Sequence, residues 1–316
     1  MPRLISRRAL APCAFAACLG LSCARPAPTP AVPNGRQGAA SLPADLDVVV
    51  RMDVAALGRE FGTALAQRLL LDTVGGGDDP SDSKLLEQAL SRSELAWLGL
   101  RSGVPLDDAA KVLILRGHFA SLPLTGKSSV LGWTAVEAES GLARYFRPTT
   151  RPGAYVQVHY PPGEELLIWA SEQEVLAIER NSTERTDSAR LRPPERGAVS
   201  LAARTERLRE RYASRYPELV ARFDGATLLE AYVESSVAGW TAEISLRFET
   251  SEQASNASPI LQRLQQALGM NRCALGAVVR GAEISEFQSS IRLSTRLEPK
   301  RLEAVKACIL AEACCA

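Results

Sequence analysis

Between Trp240 and Glu249 the chain alternates with a period of two, with Ile244, Leu246 and Phe248 set against Ser245, Arg247 and Glu249. Successive side chains of a strand point to opposite faces, so this segment is satisfied in a sheet with one covered face and one wet face. Ile291, Leu293, Thr295 and Leu297 alternate in the same way with Arg292, Ser294 and Arg296, and Thr227 to Glu234 reads as the partner strand of Trp240 to Phe248. Helices supply the cover. Ser258-Pro259 reads as an N-cap and first-turn proline for a helix carrying Leu261, Leu264 and Leu268, closed by Gly269. Glu298 to Glu312 reads as a terminal helix with Leu302, Val305 and Ile309 on one face.

The preceding part of the chain follows a related plan. Leu46 to Met52 reads as a buried strand, and Asp53 as the N-cap of a helix with Val54, Leu57, Phe61, Leu65 and Leu69 on one face. After the loop Gly75-Gly76-Gly77-Asp78-Asp79 a helix is expected near Lys84 to Leu90. Strands are expected at Glu94 to Leu100, Lys111 to Phe119, Val130 to Glu137, Ala154 to Tyr160 and Glu165 to Ala170. Pro161-Pro162-Gly163 makes the last two a hairpin. Asn181 to Arg196 is polar and carries no hydrophobic period, which places a boundary there. Beyond it the opening pattern returns: Val199, Leu201, Ala203 and Leu208 repeat the offsets of Val48, Val50, Met52 and Leu57. Gly132-Trp133-Thr134-Ala135 recurs as Gly239-Trp240-Thr241-Ala242. The two matches differ in offset, 151 against 107 residues, so a duplication requires about 44 more residues in one half. The expected fold is α+β: two halves of similar plan, residues 43–185 and 193–316, each mainly antiparallel sheet with amphipathic helices packed on one face.

The beginning of the chain reads as an export signal. Arg3, Arg7 and Arg8 precede an apolar run from Ala9 to Ser22, which is shorter than the roughly 20 residues a membrane-spanning helix needs. Residues 1–22 are therefore expected to be removed. Leu19-Gly20-Leu21-Ser22-Cys23 resembles the lipobox of bacterial lipoproteins, which implies lipidation of Cys23, with plain secretion as the alternative. Gly20 stands where that pattern prefers Leu, and Phe15-Ala16-Ala17-Cys18 is a second match with a shorter apolar core. Ser6-Arg7-Arg8-Ala9-Leu10 resembles a twin-arginine signal. Residues 23–42 form the expected tether, because Pro26 to Ala40 has four prolines and too few apolar residues to build a core. Extended at about 3.1 Å per residue, it could hold the folded part about 60 Å from a bilayer. Without residues 1–22, 34 basic residues face 36 acidic ones, a formal charge of −2 that points to no nucleic acid.

Of seven cysteines, Cys273, Cys308, Cys314 and Cys315 remain beyond the signal and Cys23. An even number in an exported chain favours disulfides. Within an unbroken terminal helix, Cys308 and Cys315 would be about 10.5 Å apart along the axis, beyond the bridging limit of roughly 7 Å. Cys273 is the expected partner for one of the three, with Cys308 preferred. A thiolate metal site at Cys308, Cys314 and Cys315 is the competing reading, and the lack of paired C-x-x-C spacing weighs against it.

No catalytic residue is assigned, and neither a cofactor nor a metal is expected. Gly126-Lys127-Ser128 would end a phosphate-binding loop had Gly stood at Ser121, but Pro123 also interrupts the amide cradle. Ser81-Asp82-Ser83-Lys84 matches Ser-x-x-Lys without its companion elements, so Ser81 or Ser83 reads as a helix cap. His118 and His159 are the two histidines, both expected as structural residues of strands. Arg204, Arg207, Arg209, Arg211 and Arg215 interleave with Glu206, Glu210 and Glu218 as on a solvated helix.

Leu42-Pro43-Ala44-Asp45 followed by Val48-Val49-Val50-Arg51-Met52-Asp53-Val54-Ala55-Ala56-Leu57 resembles the opening of a loose class of uncharacterised bacterial envelope proteins, often lipoproteins. The resemblance covers about the opening 20 residues of the folded part and the strand and helix rhythm beyond it. It implies envelope location and brings no activity, substrate or catalytic residue. Two function classes follow. The leading one is a non-catalytic envelope binding or structural module attached to the membrane by its lipid, either a subunit of a surface assembly or a module binding another envelope protein or a small apolar ligand. The other is an envelope hydrolase whose site is assembled from residues distant in sequence.

Overall fold

The computed structural model describes residues 42–61, 80–101, 111–119, 133–137, 144–148, 154–159, 165–171, 178, 190–214, 217–236, 239–270, 276 and 279–298. The strands are β1 (Val48–Asp53), β2 (Ser93–Leu100), β3 (Lys111–Gly117), β4 (Trp133–Glu137), β5 (Arg144–Pro148), β6 (Ala154–His159), β7 (Glu165–Ser171), β8 (Val199–Arg204), β9 (Ala226–Ser236), β10 (Gly239–Phe248), β11 (Glu283–Phe287) and β12 (Ser290–Leu297). The helices are α1 (Val54–Phe61), α2 (Pro80–Ser91), α3 (Thr205–Ala213), α4 (Pro217–Arg222) and α5 (Ser251–Gly269).

All the strands form one sheet in the order β11-β12-β10-β9-β8-β1-β2-β3-β7-β6-β5-β4, and every neighbouring pair is antiparallel. The mixed α+β content and antiparallel sheet agree with the sequence reading. Strands β1 to β7 lie on one side of the β1–β8 ladder and β8 to β12 on the other. In that ladder Val50 faces Leu201, with Val48 opposite Ala203 and Met52 opposite Val199.

Strands β2 and β3 are buried almost throughout, which is the pattern of a sheet covered on both faces. On one face Val49, Trp97, Ile114, Leu166 and Ile168 pack with Leu42, Leu46, Ile178 and Leu191. Gly99 lets Leu46 approach, since a Cβ there would lie 2.4 Å from its Cδ1. On the other face α1 packs on β2, and Leu57 is buried in that layer. Cover from helices on one face alone, as read from the sequence, therefore understates the first part of the sheet. The residues Leu42, Leu46 and Leu191 supply the second cover, and their aperiodic segments concealed it.

In the second part, the helices among the described residues lie on one face. Phe248, Ala226 and Ile291 pack with Ala254 and Ala257 of α5, joined by Leu246, Leu261 and Ile284. Leu201, Ala203 and Ala231 pack with Val50, Leu208 and Ile244. The alternating residues Ser245 and Arg247 lie on the opposite face, as their period requires.

Several boundaries differ from the sequence expectation. Helix α5 begins at Ser251, seven residues before Ser258, and Pro259 lies inside it. Its N-cap is Thr250, whose side chain accepts from the Gln253 amide at 3.2 Å while the Gln253 side chain accepts from the Thr250 amide at 3.1 Å. That capping box outweighs the proline as a start signal. Strands β5 and β11 were absent from the sequence reading; β11 is a short edge strand, and its turn places Gln288 at φ 53°. Trp133 opens β4 at the sheet edge, whereas Trp240 is the second residue of β10, two places from β8, so the Gly-Trp-Thr-Ala match joins strands in unlike positions. Asp53 caps α1 as expected, its carboxylate accepting from the Ala56 amide at 2.7 Å. No helix among the described residues is long and apolar enough to cross a membrane.

Candidate functional site

The wet face of β9, β10, β12 and β11 carries a set of polar side chains aligned by register. Tyr232, Glu243 and Ser294 face one another in one row, Glu230, Ser245 and Arg292 in the next, and Leu228, Arg247 and Ser290 in the third. Phe287 opposes Ser290 from the edge strand. The small residues Ser245 and Ser290 sit among long ones, so the surface dips into a groove of about 180 Å³ walled by Pro194, Arg196, Tyr232 and Phe287.

One wall comes from the turn before β8. Gly197 takes φ +82°, and a Cβ there would lie 2.5 Å from the Val233 carbonyl oxygen, so glycine permits this close passage over β9. The buried Arg51 donates to the Gly197 carbonyl at 3.1 Å, and Ser200 Oγ donates to the Pro194 carbonyl at 2.6 Å. Burial lowers the Arg51 pKa below its ordinary value, against the charges of Asp53 and Glu195. The anchored turn delivers Arg196 onto the Tyr232 ring, with Cζ 3.8 Å from the ring centroid.

Glu243 is the centre of the polar set. The Tyr232 hydroxyl donates to its Oε2 at 2.9 Å, while Arg292 Nε and an Arg196 terminal nitrogen approach its Oε1 at 3.2 and 3.7 Å. Its side chain is 12% exposed, against 52% for Arg292 and 56% for Arg196. Arg247 reaches Glu230 at 3.4 Å. Burial, then the hydrogen bond to Glu243 and its charge, push the Tyr232 phenol up to about 12. The phenolate is thereby disfavoured at neutral pH, which suits a fixed donor better than a nucleophile or base.

The residues singled out from sequence are distributed elsewhere. Cys23, Cys273, Cys308, Cys314 and Cys315 lie outside the described residues, as do Gly126, Lys127 and Ser128. Ser81, Ser83 and Lys84 lie within α2, which starts at Pro80, so neither serine is its N-cap, and Lys84 is exposed. His118 lies past the end of β3 with its side chain 83% exposed and Nε2 3.6 Å from Glu94, so it is not a strand-buried histidine. His159 ends β6. The arginines of α3 pair outward, Arg207 with Glu210 at 3.1 Å and Arg209 with Asp224 at 2.6 Å. Arg204 instead donates to the Leu46 and Ala44 carbonyls, tying the opening turn to β8. No group of three potential metal ligands occurs among the described residues. The groove residues were missed because their shared feature is cross-strand register; the period-two signal identified Ser245, Arg247 and Arg292 as wet but not as neighbours.

By fold and site the chain is an antiparallel-sheet α+β protein with a polar groove on the sheet face opposite α5. No family model matches the sequence, and the comparison with curated proteins gives no match. The chain is similar to a solved structure of TP0453 in crystal form I, at a TM-score of 0.51 and 13% identity over 85% of this chain and 96% of that one. Crystal form III of TP0453 aligns at a TM-score of 0.47 and 12% identity over 85% and 97%. At these identities the likeness is one of fold.

Proposed function

We propose that the protein is an exported envelope lipoprotein, anchored through Cys23, that binds a partner through the wet face of its sheet and performs no chemistry there. The observation that carries the binding role is the arrangement of the groove. Its carboxylates are engaged from within by donors, and its half-exposed guanidiniums form the surface a partner meets. A hydrolytic site needs a nucleophile beside a base of suitable pKa, and Tyr232 is shifted away from that role. The charged and apolar opening of the sequence, the Ser22-Cys23 junction and the proline-rich stretch support export and anchoring. Leu42, the first described residue after that stretch, is already 1% exposed in the core, which suits a tether ending there.

We also infer a plan of two similar halves. Its support is the β1–β8 ladder: a shift of 151 residues carries Val48 to Val199, Val50 to Leu201 and Met52 to Ala203, and so maps the ladder onto itself about the Val50–Leu201 pair. Moving outward, β2 corresponds to β9, β3 to β10, β7 to β12 and β6 to β11. The hairpin of β4 and β5 then extends one half, and α5 stands between β10 and β11 in the other.

The binding role is tested by affinity capture from the protein's own envelope with the anchored full-length chain and its Arg247→Glu variant. A partner retained by the parent and lost by the variant supports the reading. Identical capture by both contradicts a role for this face.

A further inference from the structure

Resting on that binding role, we infer that the groove takes a small monocarboxylate attached to an aromatic or apolar group. Three cations, Arg196, Arg247 and Arg292, and two carboxylates, Glu230 and Glu243, line it, leaving one positive charge in excess. The distribution matters more than the count. Glu243 is nearly enclosed and already receives Tyr232, Arg292 and Arg196, so it has little to offer a ligand cation. A guanidinium carries five donors, and Arg292 commits Nε to Glu243 at 3.2 Å. Its terminal nitrogens remain for a planar acceptor. Arg247 stands 55% exposed with its contact to Glu230 at 3.4 Å. Between these two arginines the floor is Ser245 and Ser290, whose hydroxyls can donate to the same anion. Guanidinium forks match a carboxylate in shape as well as charge.

The apolar half of the ligand is indicated by Phe287. It is 67% exposed on the edge strand, yet it lines the same groove as the arginines. An aromatic ring at the rim of a charged depression offers a stacking surface for an apolar group held by its carboxylate. The volume of about 180 Å³ accommodates a single ring with its acid group.

The test titrates the full mature chain with benzoate, benzamide and inorganic phosphate while arginine Nε–Hε resonances are followed by NMR. Benzoate is expected to give saturable shifts at Arg292, and benzamide to bind at least tenfold more weakly because it lacks the charge. Arg247→Gln and Phe287→Ser should each weaken benzoate several-fold. Ser245→Leu should abolish binding by filling the floor, with thermal melting used to verify that the variant folds. Absence of saturable shifts with benzoate overturns the assignment. So does equal binding of phosphate and benzoate with no effect of Phe287→Ser. A failed titration alongside partner capture that still depends on Arg247 sinks the carboxylate assignment alone; failure of both sinks the binding role as well.

Discussion

Tyr232→Phe isolates one hydrogen bond at the centre of the polar set. The substitution removes the hydroxyl that donates to Glu243 at 2.9 Å and leaves the ring beneath Arg196 in place. A hydrogen bond to a charged acceptor contributes about 1.5–3 kcal/mol. Glu243 keeps Arg292 at 3.2 Å and Arg196 at 3.7 Å, so the expected loss is toward the lower end, about 1–2 kcal/mol. The pH dependence supplies a second signature. Burial, followed by the hydrogen bond to and the charge of Glu243, raises the phenol from 10.0 to about 12, while Arg196 pulls it down. The folded state thus holds a proton that the unfolded chain has released. The contribution is complete below pH 10 and is lost as pH rises through the window from 10.0 to about 12. At 1.36 kcal/mol per pH unit the full loss would be about 2.7 kcal/mol; solvent in the open groove reduces it to about 1–2 kcal/mol. Denaturant unfolding of parent and variant at about pH 8 and about pH 11 reads both effects. The variant should be less stable at the lower pH, and the gap should narrow at the higher one. Equal stability at the lower pH, with an identical decline in both proteins, refutes the role given to Tyr232.

Two further outcomes are expected. Thr250→Ala removes the side-chain half of the capping box on α5 and should cost about 1 kcal/mol, read by denaturant unfolding and by faster amide exchange in the first turn of that helix; unchanged exchange counts against the cap. Cys273→Ser should lower the melting temperature under oxidising conditions and much less in reductant. If Cys273 closes a loop of about 35 residues with Cys308, the entropic contribution is about 3–4 kcal/mol. Peptide mapping that finds Cys273 as a free thiol, or Cys308, Cys314 and Cys315 with bound metal, contradicts the disulfide.

The parts of the fold that were legible are those whose physics is local. Period-two segments gave β10 and β12 and the wet side of each, and the Asp53 cap fixed the start of α1. Segments with weaker local signals were misjudged. In β11, Glu283, Ser285, Glu286 and Phe287 are all exposed, so no apolar period marks the strand, and in α5 the conspicuous Ser258-Pro259 drew attention from Thr250 and Gln253. The continuity of the sheet depends on pairing β1 with β8 across some 150 residues, which no local pattern encodes. The candidate site was illegible for the same reason. Tyr232 meets Glu243 through a hairpin, but Arg196 and Arg292 reach the same carboxylate from before β8 and from β12, far apart in sequence.

Mass spectrometry of the first peptide of the mature protein, extracted from membranes, tests the proposed anchoring through Cys23 most directly. The expected result is a chain beginning at Cys23 with an acylated residue, together with release of Cys23→Ser into the soluble envelope fraction. A mature chain that begins elsewhere, or an unmodified Cys23 in a protein that still partitions with membranes, contradicts it.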